Sequence, residues 1–168
     1  PFDLHGATVR KCLHRIEAGY LHNSYHNSTH AADVVQTISF LFSQPFLLPY
    51  ITALEKLSAI LAAAIHDYAH PGLNNAFQVA TSAPLALRYN DKAVLECYHV
   101  ASFFEMIHSD PELDMFAGMD AENRSTARSL IIGMVLSTDM AVHFEEIAKF
   151  KSKLIQVTRE MAKYEVSA

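Results

Sequence analysis

The chain has 168 residues, with 13 Lys and Arg against 18 Asp and Glu, and 51% of its residues are hydrophobic. This composition predicts one folded domain and excludes a disordered or collagen-like chain. No Lys-rich or Arg-rich run occurs, so no nucleic-acid partner is expected. The apolar stretches at 57–65 and 129–137 are shorter than the roughly 18 residues of a membrane-spanning helix, and no signal peptide opens the chain, so we expect a soluble, cytoplasmic protein with no membrane segment.

The two cysteines and five glycines bear on the fold class. Cys12 and Cys97 lie far apart in apolar helical patterns, which predicts reduced core thiols and no disulfide framework. The low glycine content and the lack of Asn-Gly or Asp-Gly pairs argue against tight β-hairpins. We therefore predict an all-α fold of roughly seven or eight helices with short connections.

Two helices can be placed in the first third of the chain. A stripe of apolar residues at helical spacing predicts a helix over 28–43, which ends before Pro45. Thr52 and Glu55 form a capping-box pattern that opens a second helix, which runs to Ile65. This second helix is apolar on nearly all sides, so we predict that it is buried.

The remaining helices follow from the same signals. Asn90 is expected to cap a helix that ends near His108, and a further helix is predicted over 121–136. The last helix carries an apolar seam with Lys and Glu outside it. The seam consists of Ile147, Phe150, Leu154, Val157 and Met161.

The ten histidines are the compositional outlier. His26 and His30 are four residues apart, so a helix would place both rings on one face, although such a pair alone is more often an ordinary surface or core pair. His66 and Asp67 end an apolar helix, where buried polar groups require hydrogen bonds or a cation. Imidazole and carboxylate donors suit Zn²⁺, Mn²⁺ or Fe²⁺.

Glu96 and His99 are three residues apart on another helix, a spacing equally typical of a simple surface contact. Taken together, three helices each supply a histidine with a polar partner, and the absence of Cys₂His₂ spacing excludes a closed zinc finger. No phosphate-binding glycine loop or nucleophile elbow is present. The donor set favours an open two-metal hydrolytic site, in which Asp67 could bridge the metals. Such a site would generate hydroxide and stabilise a phosphoryl transition state.

Four sequence blocks then carry a specific resemblance. They are Tyr-His-Asn-Ser-Thr-His-Ala-Ala-Asp-Val at 25–34, Ala-Ile-His-Asp-Tyr-Ala-His-Pro-Gly at 64–72, Tyr-Asn-Asp with Val-Leu-Glu within 89–96, and Ser-Thr-Asp-Met at 137–140. In order and spacing they resemble the catalytic domain of the class I 3′,5′-cyclic nucleotide phosphodiesterases over about residues 17–154. The second and fourth blocks look closest to the calmodulin-stimulated branch.

The resemblance implies an all-helical metallohydrolase that opens the cyclic phosphate of cAMP or cGMP to the 5′-monophosphate in signal transduction. It makes His30, His66 and Asp67 ligands of a zinc ion, with Asp67 also reaching a second metal, Mg²⁺ or Mn²⁺. It makes His26 the general acid toward the O3′ leaving group, a role that an imidazole can fill. The implied outer shell consists of His70, Asn75, Glu96, His99 and Thr138, and the implied substrate pocket of Tyr25, Asp139 and Met140.

Two departures from the family pattern shape the expectation. Tyr98 stands where the family commonly has a histidine, and the family's fourth zinc ligand and its purine-holding Gln and Phe would lie beyond Ala168. We therefore expect residues 1–168 to be a partial catalytic domain that lacks its C-terminal part, is poorly active alone and exposes its last apolar seam, with regulatory domains possible outside it. Two alternatives remain: a general His-Asp metal phosphohydrolase, and a degenerate, non-catalytic helical binding module.

Overall fold

The computed structural model describes residues 2–165, apart from the side chains at 157 and 160–165. All regular structure in this part of the chain is helical, as predicted. The α-helices are α1 Gly6–Gly19, α2 Ser28–Phe42, α3 Ala53–Ile65, α4 Asn75–Ala80, α5 Pro84–Tyr89, α6 Val94–Ser109, α7 Ala121–Leu136 and α8 His143–Glu165, with 3₁₀ turns at Leu48–Tyr50 and Pro111–Leu113.

Side-chain caps start the two helices that matter most for the site. The side-chain carbonyl of Asn27 accepts hydrogen bonds from the backbone N–H groups of Thr29 and His30 at the start of α2. Thr52 and Glu55 form the predicted reciprocal capping box at the start of α3. Both predicted helices are confirmed, with α2 ending one residue before the expected boundary.

The prediction for Asn90 was wrong. Asn90 adopts a left-handed conformation with φ of 55° and ends α5, whereas α6 begins at Val94 after Ala93, which has φ of 40°. Asparagine is favoured both at helix N-caps and in the left-handed conformation that ends helices, so its identity alone does not choose between the two positions.

The cysteine prediction was correct for one residue. Cys12 lies within α1 and is fully buried in the core, but Cys97 is only partly buried, and both are free thiols. The Sγ of Cys97 lies 3.8 Å from the carbonyl of Lys92.

The chain divides into two compact units, Pro1–Leu136 and Ser137–Ala168. In the first unit, α3 packs against both α2 and α7, α6 packs on α7, and α1 contacts the second 3₁₀ turn. α3 is largely buried as predicted, although Ile60 on its outer side is exposed. Fully buried Phe103, Ile65 and Ile131 stabilise this core, and burying such a side chain is worth roughly 1.5–3 kcal/mol.

The second unit is dominated by α8. Ile147, Phe150 and Leu154 of the predicted apolar seam are exposed, while the side chains of Val157 and Met161 lie outside the described residues. On the polar side of α8, Lys149 forms ion pairs with Glu145 and Glu146. Among residues 2–165, no helix is both long and apolar enough to cross a membrane.

Candidate metal centre

The contact between α2 and α3 brings three predicted ligands together. His30 lies in the first turn of α2, and His66 and Asp67 follow the last turn of α3. The Nε2 atoms of His30 and His66 are 3.1 Å apart. Oδ2 of Asp67 lies 3.4 Å from Nε2 of His30 and 3.1 Å from Nε2 of His66. Two ring nitrogens and one carboxylate oxygen thus converge on one point.

Backbone carbonyls set the orientation of two imidazoles. Nδ1 of His66 lies 2.9 Å from the carbonyl oxygen of Ala63, and Nδ1 of His99 lies 2.6 Å from that of Tyr68. A carbonyl can only accept, so each Nδ1 carries a proton and donates it. In the neutral ring this leaves the Nε2 lone pair free, which is the arrangement that metal-ligating histidines use.

The electrostatics of the cluster keep Asp67 ionised. Burial would raise the pKa of Asp67, but the hydrogen bond and charge of His66, with the charge of His99, lower it to about 2. Burial would lower the pKa of His66, yet its hydrogen bond and attraction to Asp67 hold that pKa above the ordinary value. Burial and the charge of His66 lower the pKa of His30. The site therefore presents a carboxylate to at least one neutral imidazole near neutral pH.

The donor set fits a small divalent cation. Zinc bonds of about 2.0–2.2 Å in tetrahedral geometry place neighbouring ligand atoms about 3.3–3.6 Å apart. The separations among His30, His66 and Asp67 run from 3.1 to 3.4 Å, close to that requirement. Nitrogen lone pairs and a carboxylate that face one another are stabilised by a shared cation. The coarse prediction of a His and Asp metal-binding group is thus supported by geometry.

A second group shares the same carboxylate. His26, Asp67 and His70 offer nitrogen and oxygen atoms that all lie within 4.8 Å of one another. The rings of His26 and His70 are stacked, with centroids 3.9 Å apart and an interplanar angle of 10°. Nδ1 of His70 accepts a hydrogen bond of 2.9 Å from the N–H of Gly72, so the neutral ring of His70 holds its proton on Nε2. His70 is therefore arranged as a hydrogen-bond donor within the cluster.

His99 approaches Asp67 from α6. It is buried, and its Nε2 lies 3.8 Å from Oδ1 of Asp67. Burial lowers the pKa of His99 to about 4, so the ring is neutral at physiological pH. Tyr98 is partly buried and has its ring centroid 5.9 Å from that of His99.

Asn75 and Glu96 form a pair that joins α4 to α6. Nδ2 of Asn75 donates to Oε2 of Glu96 over 2.8 Å, and Oδ1 of Asn75 accepts from the backbone N–H of Leu95 over 2.9 Å. Glu96, which lies three residues before His99 on α6, thus accepts a hydrogen bond from a residue of a different helix. Their outer-shell role stays a prediction.

The predicted pocket residues fall in different units. Tyr25 is exposed, and its ring centroid lies 4.6 Å from that of His30 and 5.0 Å from that of His26. Thr138, Asp139 and Met140 lie in the second unit, in the turn between α7 and α8, where Met140 is exposed and Oδ1 of Asp139 accepts from the N–H of Ala141. Their roles toward a substrate stay predictions.

Sequence reasoning missed Asn23. Its side-chain amide bonds to the backbone carbonyls of both His26 and His70. A single asparagine in a loop carries no periodic signal, and the His70 partner is distant in sequence, so only the folded chain reveals the contact.

Comparison with known proteins bears on the family. The family model for 3′5′-cyclic nucleotide phosphodiesterase matches residues 25–167. The dual specificity calcium/calmodulin-dependent 3′,5′-cyclic nucleotide phosphodiesterase 1B of Mus musculus is 40% identical over 149 residues, which is 88% of this chain and 28% of that protein. The 3′,5′-cyclic-AMP phosphodiesterase 4 of Dictyostelium discoideum is 44% identical over 141 residues, which is 83% of this chain and 13% of that protein.

A solved structure is also similar. The crystal structure of the phosphodiesterase domain of Salpingoeca rosetta rhodopsin phosphodiesterase matches with a TM-score of 0.85 and 33% identity, over 90% of this chain and 45% of that one. The chain thus spans under a third of the curated relatives and under half of this domain. The relatives include calmodulin-dependent and cAMP-directed enzymes, so the branch stays a prediction. From the family match and these relatives, the chain belongs to the 3′5′-cyclic nucleotide phosphodiesterase family.

Proposed function

We propose that the protein containing this chain hydrolyses the 3′ phosphoester bond of cAMP, cGMP or both to the 5′-monophosphate, in a metal-dependent reaction. The observation that carries the proposal is the convergence of His30, His66 and Asp67, with ligand atoms 3.1 to 3.4 Å apart, beside the stacked His26. Family membership supports the cyclic substrate. The same chain would act within a protein that can carry regulatory domains outside it.

We assign the metals by the chemistry of the donors. Two imidazole nitrogens and one carboxylate oxygen suit Zn²⁺, so His30, His66 and Asp67 would hold zinc. The other oxygen of Asp67 would reach a second, harder cation, Mg²⁺ or Mn²⁺, which prefers oxygen ligands. When bound, such a pair supplies a nucleophile at neutral pH and neutralises charge on a phosphoryl group.

In this proposal His26 is the general acid. Cleavage of the P–O3′ bond leaves an alkoxide that needs a proton, and an imidazole can supply it. His26 stacks on His70 and packs edge-on to Tyr25, so its ring has neighbours on its face and at its edge. Because these neighbours restrict its rotation, the ring can present one nitrogen to the leaving oxygen at a lower entropic cost.

The remaining residues position ligands and substrate. His70 would donate a hydrogen bond from Nε2, and His99 would accept one at Nε2. These two buried rings can therefore orient one water molecule as an acceptor and another as a donor around Asp67. Asn75 and Glu96 would belong to the outer shell, and Tyr25 would contact the substrate. For Thr138, Asp139 and Met140, the outer-shell and substrate-contact roles are proposed from the family resemblance.

Hydrolysis by the natural full-length protein tests the proposal. We expect release of 5′-AMP or 5′-GMP, loss of that release in a chelator, and its return on adding Zn²⁺ with Mg²⁺ or Mn²⁺. A linear phosphodiester and a phosphomonoester serve as comparison substrates, because a general metal phosphohydrolase would prefer them. Metal-loaded protein that leaves cAMP and cGMP intact would overturn the proposal and favour a non-catalytic module.

A further inference from the structure

Asn23 joins two loops of the candidate site. It lies partly buried between α1 and α2, and its Nδ2 donates to the carbonyl of His26 over 3.1 Å and to the carbonyl of His70 over 2.8 Å. One of these carbonyls belongs to the loop before α2, and the other to the loop after α3. Both protons of one amide group are thus used to hold two separate segments together.

These two segments carry the stacked imidazoles. The rings of His26 and His70 lie 3.9 Å apart and nearly parallel. A side chain's position follows from its backbone, so fixing both carbonyls to one nitrogen fixes the spacing from which the two rings project. Asn23 touches neither ring in this network; it acts on their backbone.

Asn27 extends the network to α2. Its Nδ2 donates to the backbone carbonyl of Asn23 over 2.9 Å, while its Oδ1 accepts from the N–H of His30 over 3.2 Å. The backbone of the proposed acid His26 and that of the proposed ligand His30 are therefore linked through two asparagines.

Because Gly72 has no side chain, the Asn23 amide has room beside it. Its φ is +85°, and a Cβ at this position would lie 2.9 Å from Oδ1 of Asn23. The N–H of Gly72 also donates to Nδ1 of His70. The loop after α3 is thus shaped both to admit the Asn23 amide and to set the His70 ring.

We propose that Asn23 is a positioning residue for the reaction, which holds His26 in the orientation needed to protonate the leaving group. This rests on the proposed function of His26. Asn23→Asp keeps the shape but sets a carboxylate against two carbonyls, and Asn23→Ala leaves both carbonyls without this donor. Either change should loosen the stacked pair without removing a metal ligand.

The imidazole rings give a readout that needs no catalysis. In the natural full-length protein with labelled histidine, stacking should shift the ring-proton resonances of both His26 and His70. We expect Asn23→Asp and Asn23→Ala to move both sets of resonances and to leave zinc content unchanged. Asn123→Ala is the matched control, because Asn123 donates to Asp120 at the start of α7 and should leave these resonances in place.

Kinetics then separate positioning from a general structural effect. A displacement near 1 Å can cost about 10²-fold in rate, so we expect kcat to fall about tenfold to a hundredfold with a much smaller change in KM. The loss should be smaller on a cyclic diester whose leaving group needs no proton. In a His26→Ala background, the Asn23 substitutions should cause little further loss.

Several results would overturn the inference. These are unmoved imidazole resonances in both variants, equal losses on the two kinds of substrate, or losses that multiply with that of His26→Ala. If the wild-type protein shows no cyclic nucleotide hydrolysis, the proposed function fails, and the imidazole resonances alone still decide whether Asn23 positions His26.

Discussion

His30 and His66 face each other through their Nε2 atoms, which are 3.1 Å apart although His30 lies in α2 and His66 follows the end of α3. Both nitrogens also face the same oxygen of Asp67. Two neutral imidazoles at this distance must share a proton or a cation, since two lone pairs repel.

Metal affinity should depend on pH through His66. Attraction to Asp67 outweighs burial and raises the pKa of His66, so its Nε2 takes up a proton as the pH falls through that raised value. A proton there competes with the metal, and binding must release it. We expect the affinity for zinc to fall by roughly tenfold or more between about pH 7.5 and about pH 5.5. A competition titration with a zinc chelator measures this, and an affinity independent of pH would contradict the proposed role of His66.

The stability of the metal-free protein should depend on pH through His99. Burial lowers the pKa of His99 to about 4, below its value in the unfolded chain, so the unfolded state binds the proton first as the pH falls. The free energy of unfolding should therefore fall as the pH drops below the unfolded pKa of about 6.5, by about 2 kcal/mol between pH 7 and pH 5. Urea unfolding of the wild type and of His99→Gln measures how steeply the free energy of unfolding changes with pH in each protein. An equally steep loss of stability in His99→Gln would argue against a role for His99 in this pH dependence.

Gly19→Ala should destabilise the first unit. A Cβ at Gly19 would overlap the ring of Tyr68, whose hydroxyl contacts Met106 and whose carbonyl holds His99. Overpacking of this kind costs about 1–3 kcal/mol. Gly133→Ala is the matched control, because a Cβ there meets nothing within 4 Å and a helical Gly→Ala change stabilises by about 0.5–1 kcal/mol. Thermal unfolding compares the two, and equal melting temperatures would contradict the packing argument.

His26→Ala should lower kcat and spare the metal. General acid catalysis contributes about 10²–10⁴-fold, so we expect a loss in that range on cAMP or cGMP. The loss should be much smaller on an analogue whose leaving group needs no proton. Zinc content is measured on the same samples. Equal losses on both substrates would show that His26 does not act as the acid.

Local signals in the sequence were sufficient for much of the fold. The Thr52 and Glu55 capping box and the apolar periodicity of α7 act within one helix, so they predicted element starts and ends correctly. The prediction for Asn90 was wrong because asparagine is favoured both at the N-cap that begins a helix and in the left-handed conformation that ends one. Short helices such as α4 and α5 offer too few residues for a periodic pattern and were not placed individually.

In the candidate site, too, local sequence signals predicted some features, whereas contacts between distant segments could not be predicted. Two local signals predicted most of the cluster. One is the spacing of His26 and His30, and the other is the polar pair His66 and Asp67 at the end of an apolar helix. The direction of each ring depends on backbone carbonyls and N–H groups, such as Ala63 for His66, which no residue pattern encodes. The contact of Asn23 with His70 joins distant segments and emerges only from packing.

Zinc content of the natural full-length protein tests the central claim most directly. Elemental analysis should find zinc in the wild type and in His14→Ala, which removes an exposed histidine beside Glu17. It should find little or none in His66→Ala and in Asp67→Ala, with circular dichroism showing that both remain folded. Wild-type zinc content in both of the latter variants would contradict the proposal that His30, His66 and Asp67 form the metal site.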